Sequence, residues 1–152
     1  MLLRHLALAV TDEARSQGFY EDWFGFEASR RMDDGVLMLY GPGDVSLALG
    51  PAERPPSLPA FLHFGFVLDT PDAVRESRDK FTAAGVEIAD FWDEPDYVSV
   101  KVRDPDGYVV EVSWEPSEVR PRASRSSAEA IHGSAAGSSL PSASSLRSSL
   151  SP

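Results

Sequence analysis

"LHFGFVLDTPDAVRESRDKFTAAGVEIA", residues 62–89, carries three structural signals in succession. An apolar run holding one imidazole, His63, reads as a strand bound for the interior. Thr70 is suited to cap a helix and Pro71 to occupy its first position, where no backbone N–H is required. Val74 and Phe81 then recur on one helical face, Gly85 supplies a stop, and apolar alternation resumes. The same plan appears earlier in "RHLALAVTDEARSQGFYEDWFGFE", residues 4–27, with Thr11 and Asp12 as the capping pair and Phe19, Tyr20 and Trp23 at helical spacing. The step from His5 to Gly25 is 20 residues and that from His63 to Gly85 is 22, so the chain contains a repeat.

Each half continues with three short strand-like segments, about 26–31, 36–40 and 45–49 in the first and about 87–92, 97–103 and 108–114 in the second. "DPDG" at 104–107 places Pro second and Gly last in a turn. The order βαβββ, twice over, predicts an α+β fold of two modules forming curved, mixed antiparallel sheets with helices outside. The expected domain spans 1–116, with module one at about 1–56 and module two at about 57–116. From 117 to 152 the composition turns to Ser, Ala, Gly and Pro without periodicity. Such a tail lacks the apolar content to offset its ordering entropy, so it is expected to be disordered, with His132 in solvent.

Composition narrows the functional classes. The net charge is −10, and residues 1–116 hold 22 Asp and Glu against 10 Lys and Arg. That body offers no electrostatic footprint for nucleic acid or an anionic membrane surface. No run reaches the roughly 20 apolar residues of a membrane span, and the N-terminus lacks the pattern of a secretory leader. The absence of cysteine excludes disulfides and thiolate chemistry and fits a cytoplasmic protein. A small-molecule substrate is the remaining expectation.

Three residues are out of place in apolar strands: His5, His63 and Glu111. The histidines are equivalent in the repeat, and an ionised carboxylate in "YVVEVSW" is costly unless paired or bound to a metal. On one concave face, two imidazoles and a carboxylate form a facial triad for Fe, Mn, Ni, Co or Zn, with positions left open for substrate or dioxygen. A satisfied core histidine and a glutamate on the solvent face of a strand edge are the bland alternatives. Lys101 shares a strand face with Ser99 and Arg103. It is a candidate catalytic residue, as an acid or as partner of an anionic substrate, or else a lysine at a solvated sheet edge. Phe91, Trp92, Tyr97 and Trp114 could line a pocket or pack in the core.

The stretches "HLALAV", "FYEDWFGFE", "HFGFVLDTPDAV" and "DPDGYVVEVSW" resemble the vicinal oxygen chelate superfamily over about residues 3–115. That superfamily covers glyoxalase I, extradiol dioxygenases, fosfomycin-modifying thiol transferases and bleomycin-resistance proteins. The resemblance implies a paired βαβββ fold, commonly a homodimer, and a divalent metal bound by His5, His63 and Glu111. In close relatives, it implies further, the first half of one chain pairs with the second half of its partner. Glyoxalase-type isomerases resemble this chain but use a fourth ligand where Ala48 stands, which disfavours isomerase chemistry. Extradiol enzymes typically carry Tyr and His where Lys101 and Asp96 stand. Fosfomycin enzymes have a Thr at Ala7 and an aromatic at Lys101, although Ser99 and Arg120 match their polar contacts. The resulting expectation is a metal-dependent, dioxygenase-like enzyme for a substrate chelated through adjacent oxygens. The alternatives are a fosfomycin-type thiol transferase and a non-catalytic, drug-binding protein of bleomycin-resistance type.

Overall fold

The computed structural model describes residues 2–117. Module one comprises β1 (His5–Val10), α1 (Glu13–Phe24), β2 (Ala28–Arg31), β3 (Leu37–Gly41) and β4 (Val45–Pro51). Module two comprises β5 (His63–Val67), α2 (Pro71–Ala83), β6 (Ile88–Glu94), β7 (Tyr97–Arg103) and β8 (Val109–Trp114). Each makes a four-stranded sheet, β1-β4-β3-β2 and β5-β8-β7-β6. The expected βαβββ repeat is therefore observed. In each sheet the first strand lies parallel to the last, and the other pairings are antiparallel. The helix after the first strand makes that possible, because a parallel neighbour requires a crossover. The sequence expectations for the tail and for His132 and Arg120 fall outside the described residues.

Local chemistry sets the helix ends. Asp12 accepts the Arg15 N–H at 3.1 Å and Thr70 accepts the Ala73 N–H at 3.2 Å. Gly25 ends α1 in the left-handed region at φ 69°, a conformation glycine adopts without a Cβ penalty. One face of each sheet packs under its helix. Leu8, Val10, Leu39, Leu47 and Leu49 lie buried with Tyr20, and Val98, Val100, Val102 and Val110 with Val74 and Phe81. At the modules' junction Phe24 meets Phe66 with ring centroids 4.9 Å apart, and Trp23 meets Phe81 at 5.0 Å.

A polar latch adds to that junction. The turn between β7 and β8 turns two aspartates inward, and both are buried. Asp104 accepts from the Tyr20 hydroxyl at 2.8 Å and from the Tyr108 and Asp106 N–H groups. Asp106 accepts from the Thr11 N–H and hydroxyl and from Ser16. Burial raises the pKa of Asp104, and burial together with Asp104 raises that of Tyr20 far above the ordinary phenol value. No buried side-chain polar atom among the described residues lacks a partner. Also among them, no helix is long and apolar enough to cross a membrane.

Candidate metal centre

The strand period of two sends His63, Glu111, Ser99 and Lys101 to the sheet face opposite α2. Gly65 lies opposite Glu111 on β8, and Lys101 opposite it from the other side on β7. Both β7 and β8 are interior strands, so the solvated-edge readings of Lys101 and Glu111 do not hold. The Glu111 side chain is only 12% exposed and that of Lys101 19%.

His63 donates from Nδ1 to the Phe61 carbonyl at 2.9 Å. A carbonyl can only accept, so this bond fixes the tautomer and leaves the Nε2 lone pair free in the neutral ring. Nε2 lies 3.5 Å from Glu111 Oε2. The other carboxylate oxygen is fully engaged: Tyr97 donates to Oε1 at 2.7 Å, Ser99 donates to it from a fully buried position, and the Lys101 ammonium stands 3.8 Å away. Burial, then the bond to Glu111, raises the Tyr97 pKa, which keeps its hydroxyl a donor. One carboxylate oxygen is thus pinned and the other faces an imidazole lone pair. Two acceptors converging on one point is the donor arrangement a divalent cation requires, with outer partners orienting each ligand. These two residues fit a metal.

His5 is not brought to that pair. Its Nδ1 is 2.9 Å from the Ser46 hydroxyl on its own sheet. Among the described residues of one chain, no group of three or more His, Cys, Asp or Glu is placed to hold a metal. Ala48, buried, stands on the His5 side of module one and brings no carboxylate.

Lys101 is held between Asp90, at 3.7 Å, and Glu111. The Trp92 indole N–H, and next the burial and backbone contacts of Asp90, set that carboxyl's pKa, with a net lowering. A cavity of about 210 Å³ opens beside His63, lined by Phe61, Leu62, Asp90, Lys101 and Arg103. Of the four candidate aromatics, Tyr97 reaches the site and half-exposed Trp92 lies on its face. Phe91 packs beneath the Arg78 guanidinium at 4.3 Å, and Trp114 packs against the core.

This fold and this paired face define the class: the chain belongs to the glyoxalase/bleomycin resistance protein/dioxygenase superfamily, whose sequence model matches residues 2–112. Among particular proteins, it is 26% identical over 118 residues to the virulence protein STM3117 of Salmonella typhimurium, covering 72% of this chain and 81% of that one. The fosfomycin resistance protein FosX of Listeria monocytogenes superposes with a TM-score of 0.66 at 18% identity, over 78% of this chain and 96% of that one. A point mutant of FosX has been solved with Mn(II) and 1S,2S-dihydroxypropylphosphonic acid. The lactoylglutathione lyase of Agrobacterium tumefaciens superposes at 0.59 with 26% identity, over 74% and 92% of the two chains.

Proposed function

We propose that this protein is a cytoplasmic, homodimeric, metal-dependent enzyme whose small substrate chelates a divalent ion through two adjacent oxygens, with dioxygenase-like chemistry. The observation that carries the reading is the His63–Glu111 pair, with Nε2 and Oε2 free toward each other and every other polar atom of both side chains engaged. His5 of a second copy completes the ligand set. Exposed apolar side chains just ahead of each histidine, Leu2 and Leu3 before His5 and Phe61 and Leu62 before His63, support burial against such a copy. An ion held by His63 and Glu111 would supply Lewis acidity or a place for dioxygen. Lys101 holds the anionic end of the substrate or gives up a proton from Nζ. Tyr97 and Ser99 keep Glu111 oriented. Ala48, where a fourth carboxylate would stand, supplies no base for isomerase chemistry.

The test is metal content. Protein purified without added metal should hold about one divalent ion per chain by elemental analysis, and His63→Ala and Glu111→Ala should each abolish it. Wild-type content in either variant, or none in the wild type, would remove the centre and leave a metal-free binder.

A further inference from the structure

We propose that Gly65 is a positioning residue for Glu111: its missing side chain is the space that Glu111 occupies. The proposal rests on the metal-centre reading for its purpose and on the sheet's own geometry for its substance. Gly65 is opposite Glu111 in the parallel β5–β8 pair. A Cβ built on Gly65 would lie 3.0 Å from the Glu111 carbonyl oxygen, 3.1 Å from its Cβ and 3.5 Å from its Cγ. The first two contacts are closer than carbon packing permits without movement. The atoms met are not the end of a flexible chain. They belong to the backbone and root of a residue on an interior strand, bonded on both sides. The strand free to give is β5, at the sheet edge, and it also carries His63, so the movement falls on the His63–Glu111 separation.

The repeat supplies the control. In module one the equivalent pair is Ala7 opposite Ala48, in the same parallel register two residues beyond the histidine. There a methyl group at position 7 is accommodated beside a carbonyl and a Cβ of the same kind, so the tighter approach belongs to the Gly65–Glu111 pair. Where the neighbour is a glutamate that leans toward the histidine, the chain carries Gly. Ordinary strand preference runs the other way, since glycine weakens a strand interior. Unlike the turn glycines, Gly65 needs no positive φ. Close approach is the physical reason left for it. Tyr97, Ser99 and Lys101 hold one carboxylate oxygen of Glu111 from the β7 side, while Gly65 lets the stem lie over β5, so that Oε2 reaches His63.

The experiment compares Gly65→Ala with wild type and with Gly50→Ala, where a Cβ meets nothing closer than 3.8 Å. In crystal structures of the metal-free proteins, the Glu111 carboxylate should move off His63 in Gly65→Ala and stay at its wild-type separation in Gly50→Ala. Titration with Co(II), followed by its visible spectrum, should show affinity lowered about tenfold or more in Gly65→Ala alone, the size of loss expected when a ligand's outer support is disturbed. A Glu111 left in place with Co(II) affinity unchanged overturns the proposal. If wild type binds no Co(II), the metal-centre reading fails by itself, and the crystallographic comparison still decides the role of Gly65. Should Gly65→Ala not fold, it is combined with Glu111→Gly, which removes the Cβ and Cγ but keeps the carbonyl, and is compared with Glu111→Gly alone. Folding restored in the double variant supports the proposal; folding lost there while Glu111→Gly alone folds shows that only the backbone is crowded and overturns it.

Discussion

The two modules share one plan and differ in what they put on the sheet face away from the helix. Module one offers His5 and Ser46 among small residues, Ala7 and Ala48. Module two offers His63 and Glu111 backed by Tyr97, Ser99 and Lys101. The helix-side faces of both are near-continuous Leu, Val and Phe. The packing face, which decides whether the chain folds, is alike in the two modules, while the other face differs. The polar groups of the candidate centre are concentrated in one half, and the proposed centre draws a single ligand, His5, from the other.

That asymmetry is testable. The largest expected effect is complementation. His5→Ala and Glu111→Ala should each be metal-free, yet a mixed and re-annealed pair should recover up to about half the metal sites per heterodimer. The fraction follows from symmetry alone, because one of the two sites carries both lesions and the other none. If heterodimers form and stay metal-free, all three ligands come from one chain and the shared centre is wrong.

A smaller effect concerns the close approach in module two. Ala48→Glu should destabilise module one more in the native background than alongside Ala7→Gly, with a coupling of about 1–3 kcal/mol, the scale of overpacking. Urea denaturation of the four proteins measures it, and simple additivity would mean that the Gly–Glu pairing is incidental.

Tyr20→Phe leaves both backbone donors on Asp104 Oδ1 but takes the hydroxyl from Oδ2, and should cost about 1–3 kcal/mol in the same assay. A neutral result would show that the latch contributes little.

Asp104→Asn should give the smallest signal. Burial holds the folded carboxyl above 3.8. A raised pKa contributes stability below the unfolded value, and that contribution is lost as pH climbs through the folded one. From about pH 4 toward neutrality, wild type should therefore lose thermal stability relative to Asp104→Asn. A difference that is flat or moves the other way contradicts the burial argument.

The strands and helices could be read from the sequence because their signals are local. Period-two and helical alternation, Thr70 before Pro71, and Gly25 and Gly85 at the helix ends need no knowledge of the fold. The His63–Glu111 pair was legible for a related reason: a histidine and a glutamate in apolar strands are conspicuous wherever those strands lie. Other features depended on what lies across the structure. "DPDG" reads as a turn, and nothing within it shows that both aspartates turn inward onto Ser16 and Tyr20. The edge reading of Lys101 failed because strand order within a sheet is not written in the strand. Gly65 gave a signal that could have been used, a glycine in the middle of a β-strand two residues after a histidine, but its meaning required the register with Glu111.

The latch of Asp104 and Asp106 has a further consequence for how the chain is made. Its partners Tyr20, Ser16 and Thr11 lie 84, 90 and 95 residues away in sequence. During synthesis, all of module one leaves the ribosome before either aspartate exists. Until then the hydroxyls of Ser16 and Tyr20 lack these acceptors. Contacts so distant close large loops and form late. The first module is thus complete as sequence well before it is complete as structure, and in a nascent chain it is the half exposed to proteases and chaperones.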